Sequence, residues 1–224
     1  MANGVAQIRR SVMTLALPVT VSSLLQRTEG IVAVFLVGGL GAIPIAAVGL
    51  GQLLAFIATT LVSGLSVGTN VIIAQQWGAR RYEEAGQASR HFLGLSIFVS
   101  FALALLGLSA NGLIMQLLGA QPEVIGLALP YSNLIFLVIP FTVLLAVLSS
   151  ILQGTGDTKT PMYAMIMVNV LHIAIAYPLI YGQWGLPAFG VKGAAVAVGI
   201  AEATGSVSLL LRCRTILKPS KRFR

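Results

Sequence analysis

Six apolar runs, separated by Gly- and Pro-rich breaks, constrain this chain more than any other feature. They cover approximately 12–37, 45–75, 87–110, 125–152, 162–182 and 193–213. A helix needs roughly 20 mostly apolar residues to cross the hydrocarbon of a bilayer, and each run is long enough. Lipid also forces the backbone to satisfy its own hydrogen bonds, so helices are the economical solution. The expected fold is an all-α integral membrane protein, a single six-helix bundle over residues 1–224. The second and fourth runs exceed the minimum, which predicts tilt or extension past the bilayer. Only 9% of the residues are charged, against about 25% in soluble domains, so no wet surface of ordinary size can be built.

The 14 Lys and Arg outnumber the six Asp and Glu, and they sit at the ends of the apolar runs. That placement fits membrane edges and anionic headgroups rather than a nucleic acid partner. Alternating the loops puts Arg9, Arg10, Arg80, Arg81, Arg90, Lys159, Arg212, Arg214, Lys218, Lys221, Arg222 and Arg224 on one side and Lys192 on the other. The positive-inside rule then predicts a multi-pass protein of the cell membrane with both termini cytoplasmic, residues 214–224 forming a basic cytoplasmic tail. The N-terminal run reads as a spanning anchor without a cleavage signal. Cys213 is the only cysteine, which excludes an intramolecular disulfide and a cysteine-rich metal site.

Polar residues within the runs are the candidate functional groups, because each needs a partner or a cavity. The first run carries Ser22, Gln26, Arg27 and Glu29. The second carries Gln52, Thr59, Ser63, Ser66 and Asn70, a stripe expected to face the interior. Asn169 and His172 share a face of the fifth helix, and Glu202 lies near the middle of the sixth. A charge at a helix centre costs about 2.5–3.5 kcal/mol on insertion scales, so Glu29 and Glu202 read as a proton or cation site, or an anionic patch for a cationic substrate. The competing reading is a structural hydrogen bond. Glu29 and Arg27 are two positions apart and point to different faces. His172 has an ordinary pKa of about 6.5 and could relay protons, although a lone intramembrane His is more often a packing residue.

Two enzyme-like patterns fail on context. Gly64-Leu65-Ser66-Val67-Gly68 matches G-x-S-x-G, but it lies inside an apolar helix with no preceding strand. Gly64 and Gly68 also spell G-x-x-x-G, which reads as helix packing. Gly154-Thr155-Gly156-Asp157-Thr158-Lys159 lacks the spacing of a phosphate loop. No catalytic residue and no metal-binding spacing is expected, nor a cofactor beyond a coupling ion.

Several segments in order resemble the N-terminal half of the multidrug and toxic compound extrusion family. They are Ala16-Leu17-Pro18, Val37 to Gly41 with Ala46 to Gly49, Ser63 to Gly68, and Ala74 to Ala79 with Glu84-Ala85. Gln153 to Met162 is the most specific, followed by Leu179 to Gly182 and Gly185 to Ala195. The resemblance implies a twelve-helix exporter of two six-helix lobes that expels organic, often cationic, compounds in exchange for H+ or Na+ by alternating access. This chain would supply one lobe, completed by a homodimer partner or a second lobe. Lipid-linked substrate flippases share the architecture and are one alternative; a truncated, non-transporting lobe is another. The positions that are commonly Asp in this family align with Ala33 and Ala176, and a common Asn aligns with His172. Glu29, one turn from Ala33, together with Glu202 and His172, is therefore expected to substitute for the missing acids.

Overall fold

The computed structural model describes residues 2–185 and 187–217, so the last seven residues of the basic tail lie outside the described part. The six-helix membrane bundle expected from the apolar runs is what forms. Its helices are α1 (Ala2–Val37), α2 (Ala42–Gly78), α3 (Tyr82–Leu117), α4 (Pro122–Gly154), α5 (Lys159–Tyr181) and α6 (Val191–Leu217), with a 3-10 turn at Gly38–Leu40. All six are long and apolar enough to cross a membrane. At 37 and 36 residues, α2 and α3 would run about 55 Å, well beyond a hydrocarbon core of about 30 Å.

Local chemistry ends each helix. Gly119, at φ 72°, follows the last turn of α3, and Pro122 opens α4 after an extended Gln121. Gly182 closes α5 in the left-handed conformation, and both its N–H and that of Gln183 donate to the Pro178 carbonyl. Asp157 starts α5 by accepting from the backbone N–H of Thr160 at 3.0 Å and from its hydroxyl at 2.7 Å. The Gly154–Thr160 segment is thus a capping turn, and a Cβ on Gly154 would meet Ile73 and the Asn70 carbonyl at 2.9 and 3.0 Å.

Helices α1, α5, α6, α4 and α2 follow one another around a closed ring, while α3 packs outside against α2 and α4. Two apolar clusters fill the bundle. The larger runs along α4 with α2, α3, α5 and α6, through Ile73, Met115, Leu148, Ile151 and Leu209. The smaller gathers Ala33, Val37, Val48, Tyr131, Ala176, Ile180 and Ala194 near the end opposite the N-terminus. Glycines permit the tightest approaches: a Cβ on Gly193 would lie 2.7 Å from the Leu179 carbonyl, and one on Gly107 would enter the Phe136 ring.

Gly64 and Gly68 take no part in this. A Cβ on either would meet nothing within 4 Å, so the helix-packing reading of these two glycines does not hold for the described chain. They lie on the open face of α2, whose other face buries Val62 and Thr69, and the close glycine contacts of α2 fall elsewhere, with Tyr131 at Gly51 and Gly154 at Ile73.

Candidate functional site

The interior of the ring holds polar side chains from five helices. Contacts flanking them fix their heights. On α1 and α5, Tyr181 donates to the Leu36 carbonyl at 2.8 Å, and Ala33 joins Ala176 in one cluster. One turn further in on both helices come Glu29 and His172. On α5 and α6, Gly193 meets Leu179 and Gly205 meets Val168, which brackets His172 and Glu202 between the same contacts. Glu29, His172 and Glu202 therefore occupy one level, between the small apolar cluster and the large one.

Glu202 is only 6% exposed, and one carboxylate oxygen accepts a hydrogen bond from the Thr142 hydroxyl of α4. Glu29 and Glu202 lie within electrostatic reach of each other, and Glu29 also acts on Tyr131. Gln52 of α2 donates to the Gly30 carbonyl at 3.0 Å, and its side chain reaches the hydroxyl of fully buried Tyr131. Among the described residues, Oε1 of Glu29 and both ring nitrogens of His172 are buried without a hydrogen-bond partner. An unsatisfied buried polar atom costs about 1–3 kcal/mol, more if charged. Such atoms mark a place where a proton or ion changes the energetics.

The other sequence candidates fall elsewhere. Gln26 and Arg27 are exposed, and Arg27 forms no ion pair with Glu29 among the described residues. Asn70 donates to the Ser150 carbonyl at 3.3 Å, a tie between α2 and α4 far from the acids. Asn169 spends its amide on Met165 of its own helix, so it does not bond His172. The α2 stripe is also divided. Gln52 and Asn70 reach neighbouring helices, but Ser63 is exposed, and the Thr59 and Ser63 hydroxyls bond carbonyls of α2 itself. Such back-bonded hydroxyls need no interior partner.

Sequence reasoning passed over Thr142 and Tyr131. The available signal was a pair of polar groups eleven positions apart in the very apolar α4, which at about 100° per residue share one face. The substitutions at Ala33 and Ala176 also gain a physical meaning. Both are at most 1% exposed and sit in the small cluster, so methyl groups close-pack where the resemblance would put carboxylates.

A profile of the MatE family matches residues 18–178. The chain belongs to the MatE family. That family consists of transporters rather than enzymes. The probable multidrug resistance protein YoeA of Bacillus subtilis (strain 168) is 30% identical over 92% of this chain and 44% of its own length. The probable multidrug resistance protein NorM of Thermotoga maritima is 29% identical, over 90% of this chain and 44% of its own length. Among solved structures, a MATE in the bent conformation superposes with a TM-score of 0.84 at 28% identity, covering 96% of this chain and 50% of that one. The chain thus spans about half the length of these MatE relatives, and its fold corresponds to one lobe of them.

Proposed function

We propose that this chain is one lobe of a secondary exporter of organic, chiefly cationic, compounds, driven by ions moving the other way. A second copy or a second lobe completes the substrate cavity. The protein sits in the cell membrane with both termini cytoplasmic, as the distribution of Lys and Arg supports. The observation that carries the reading is the Glu29–Glu202 pair, held at one level of a lobe that belongs to a transporter family. With Ala33 and Ala176 in place of acids, these two carboxyls are the titratable acids left inside the lobe.

Protons suit the site better than sodium ions as the coupling ion. A hard cation prefers an oxygen cage, whereas His172 at the same level offers nitrogen, which carries protons well. Each charge crossing the membrane potential supplies about 2.3 kcal/mol per 100 mV, so one or two protons per cycle can drive uphill export. Loading a proton on one carboxyl removes the repulsion between the pair, and releasing it restores that repulsion. That difference gives the lobe two states for the substrate to bias.

The test is ethidium accumulation in efflux-deficient bacteria expressing either the 224-residue chain or two copies joined in tandem. Lower accumulation, abolished by an uncoupler and independent of sodium, is expected from at least one of them. Glu29→Gln and Glu202→Gln should each remove the uncoupler-sensitive part. Full activity in both variants would remove the acids from the mechanism, and no efflux from either inserted protein would overturn the exporter reading.

A further inference from the structure

At the end of the bundle opposite the N-terminus, a cavity of about 350 Å³ opens between the α1–α2 turn, the start of α4 and the start of α6. Its walls are apolar: Leu40, Pro44, Leu127, Pro130 and Phe189, with Lys192 also in the lining. Lys192 is exposed and is the only cation at this end among the described residues. It makes no ion pair there, although Glu123 lies in the first turn of α4 at the same end. The surroundings are those of a membrane interface. Trp184, in the adjoining loop, is 83% exposed, and Tyr177 and Tyr181 also reach the surface. Trp and Tyr concentrate at headgroup depth.

The apolar surface continues from the cavity into the membrane. Leu127, Pro130, Leu137 and Phe141 fall within one face of α4 at the helical repeat, and Leu137 and Phe141 are 56% and 41% exposed. This is the side of α4 away from Gly51 and Ile73, its contacts with α2. From Leu127 to Phe141 the helix runs about 21 Å, more than the roughly 15 Å of one leaflet's hydrocarbon.

We propose that this is a binding site for an anionic phospholipid of the leaflet opposite the N-terminus. The phosphate rests against the Lys192 ammonium, one acyl chain enters the cavity, and its end follows the exposed face of α4. A lone ammonium above an apolar slot matches that amphiphile in both charge and depth. A hydrated inorganic anion would gain nothing from the slot, and a cation would be repelled at its mouth. The inference is independent of the exporter reading, because it concerns occupancy rather than transport.

The test uses the full chain in phosphatidylcholine vesicles carrying a minor fraction of phosphatidylglycerol brominated near the headgroup end of its chains. Trp77→Phe leaves Trp184 as the only tryptophan, since the chain has two, and excitation at the red edge of its absorption avoids the tyrosines. Brominated phosphatidylglycerol should quench Trp184 more strongly than brominated phosphatidylcholine at equal fraction. Lys192→Gln should reduce that preference about fivefold, the effect of one lysine near an anionic surface, and Lys192→Arg should keep it. Equal quenching by the two lipids, or a preference that survives Lys192→Gln, would overturn the site. So would reversal of the quenching by inorganic phosphate alone, which would assign the lysine to a free anion. Absence of quenching by either lipid would mean that protein, and not lipid, covers this face.

Discussion

At the level of Ala33 and Ala176 the ring is closed by methyl groups, while one helical turn further in, at Glu29, His172 and Glu202, the same helices present titratable groups. The backbone course is shared, so the difference is one of side chain alone. Small residues at the outer level let α1, α5 and α6 approach closely, and that packing leaves little room for a carboxylate. The inner level has a hydroxyl donor from Thr142 and side chains that remain unpaired. An acid is tolerated where the ring carries polar companions and excluded where it is close-packed. On the proposed reading, the acidic function of this lobe has slid along the helices rather than disappeared.

The largest effect should come from forcing an acid into the packed level. Ala33→Asp places a carboxylate at a site 1% exposed within the small apolar cluster. The cost expected is about 2.5–3.5 kcal/mol, the penalty of a charge at depth. Thermal unfolding in detergent should shift down clearly, and the double variant Ala33→Asp with Glu29→Ala should be no more stable. If Ala33→Asp instead unfolds like the parent, the two levels are not different in kind and the comparison fails.

A smaller effect is expected from weakening the acid level without removing an acid. Thr142→Val keeps the shape of the side chain and deletes the donor to Glu202. A side-chain hydrogen bond contributes about 0.5–1.5 kcal/mol net, so a modest loss of stability is the expected outcome. The same change in a Glu202→Gln background should be worth less, because the carboxyl that holds the hydroxyl is then gone. Equal losses in both backgrounds would show that Thr142 serves packing and not the carboxylate.

The number and type of the helices were legible because apolar run length is a direct readout of bilayer thickness. The breaks were legible because Gly119, Gly182 and the Asp157 cap act on their own neighbours in sequence. Side-chain partners across helices were not. Gly64 and Gly68 carry the same local pattern as packing glycines, but which face of α2 meets α4 is decided by the whole ring. For the same reason Thr142 could not be paired with Glu202, sixty positions away. Glu29 and Glu202 stood out as charges in lipid, since their cost is visible in one helix at a time. Their common level depends on the α1–α5 and α5–α6 registers, which no single helix contains.

His172 belongs by height to the acid level and by surroundings to the packed one, and replacing it separates the two memberships. It is wholly buried, and neither ring nitrogen has a partner among the described residues. Exchanging an unsatisfied buried polar group for an apolar one of similar size is close to neutral or stabilising. His172→Leu should therefore shift stability by less than about 1 kcal/mol on that same argument, the smallest change of the three. If the imidazole passes protons between Glu29 and Glu202, uncoupler-sensitive ethidium efflux should nevertheless fall while the unfolding midpoint holds. If both stability and efflux hold, His172 is part of the seal and the acids exchange protons without it. A marked loss of stability would show that the ring nitrogens are bonded in the assembled protein, and His172 would then be counted with Thr142 as a support for the acid pair.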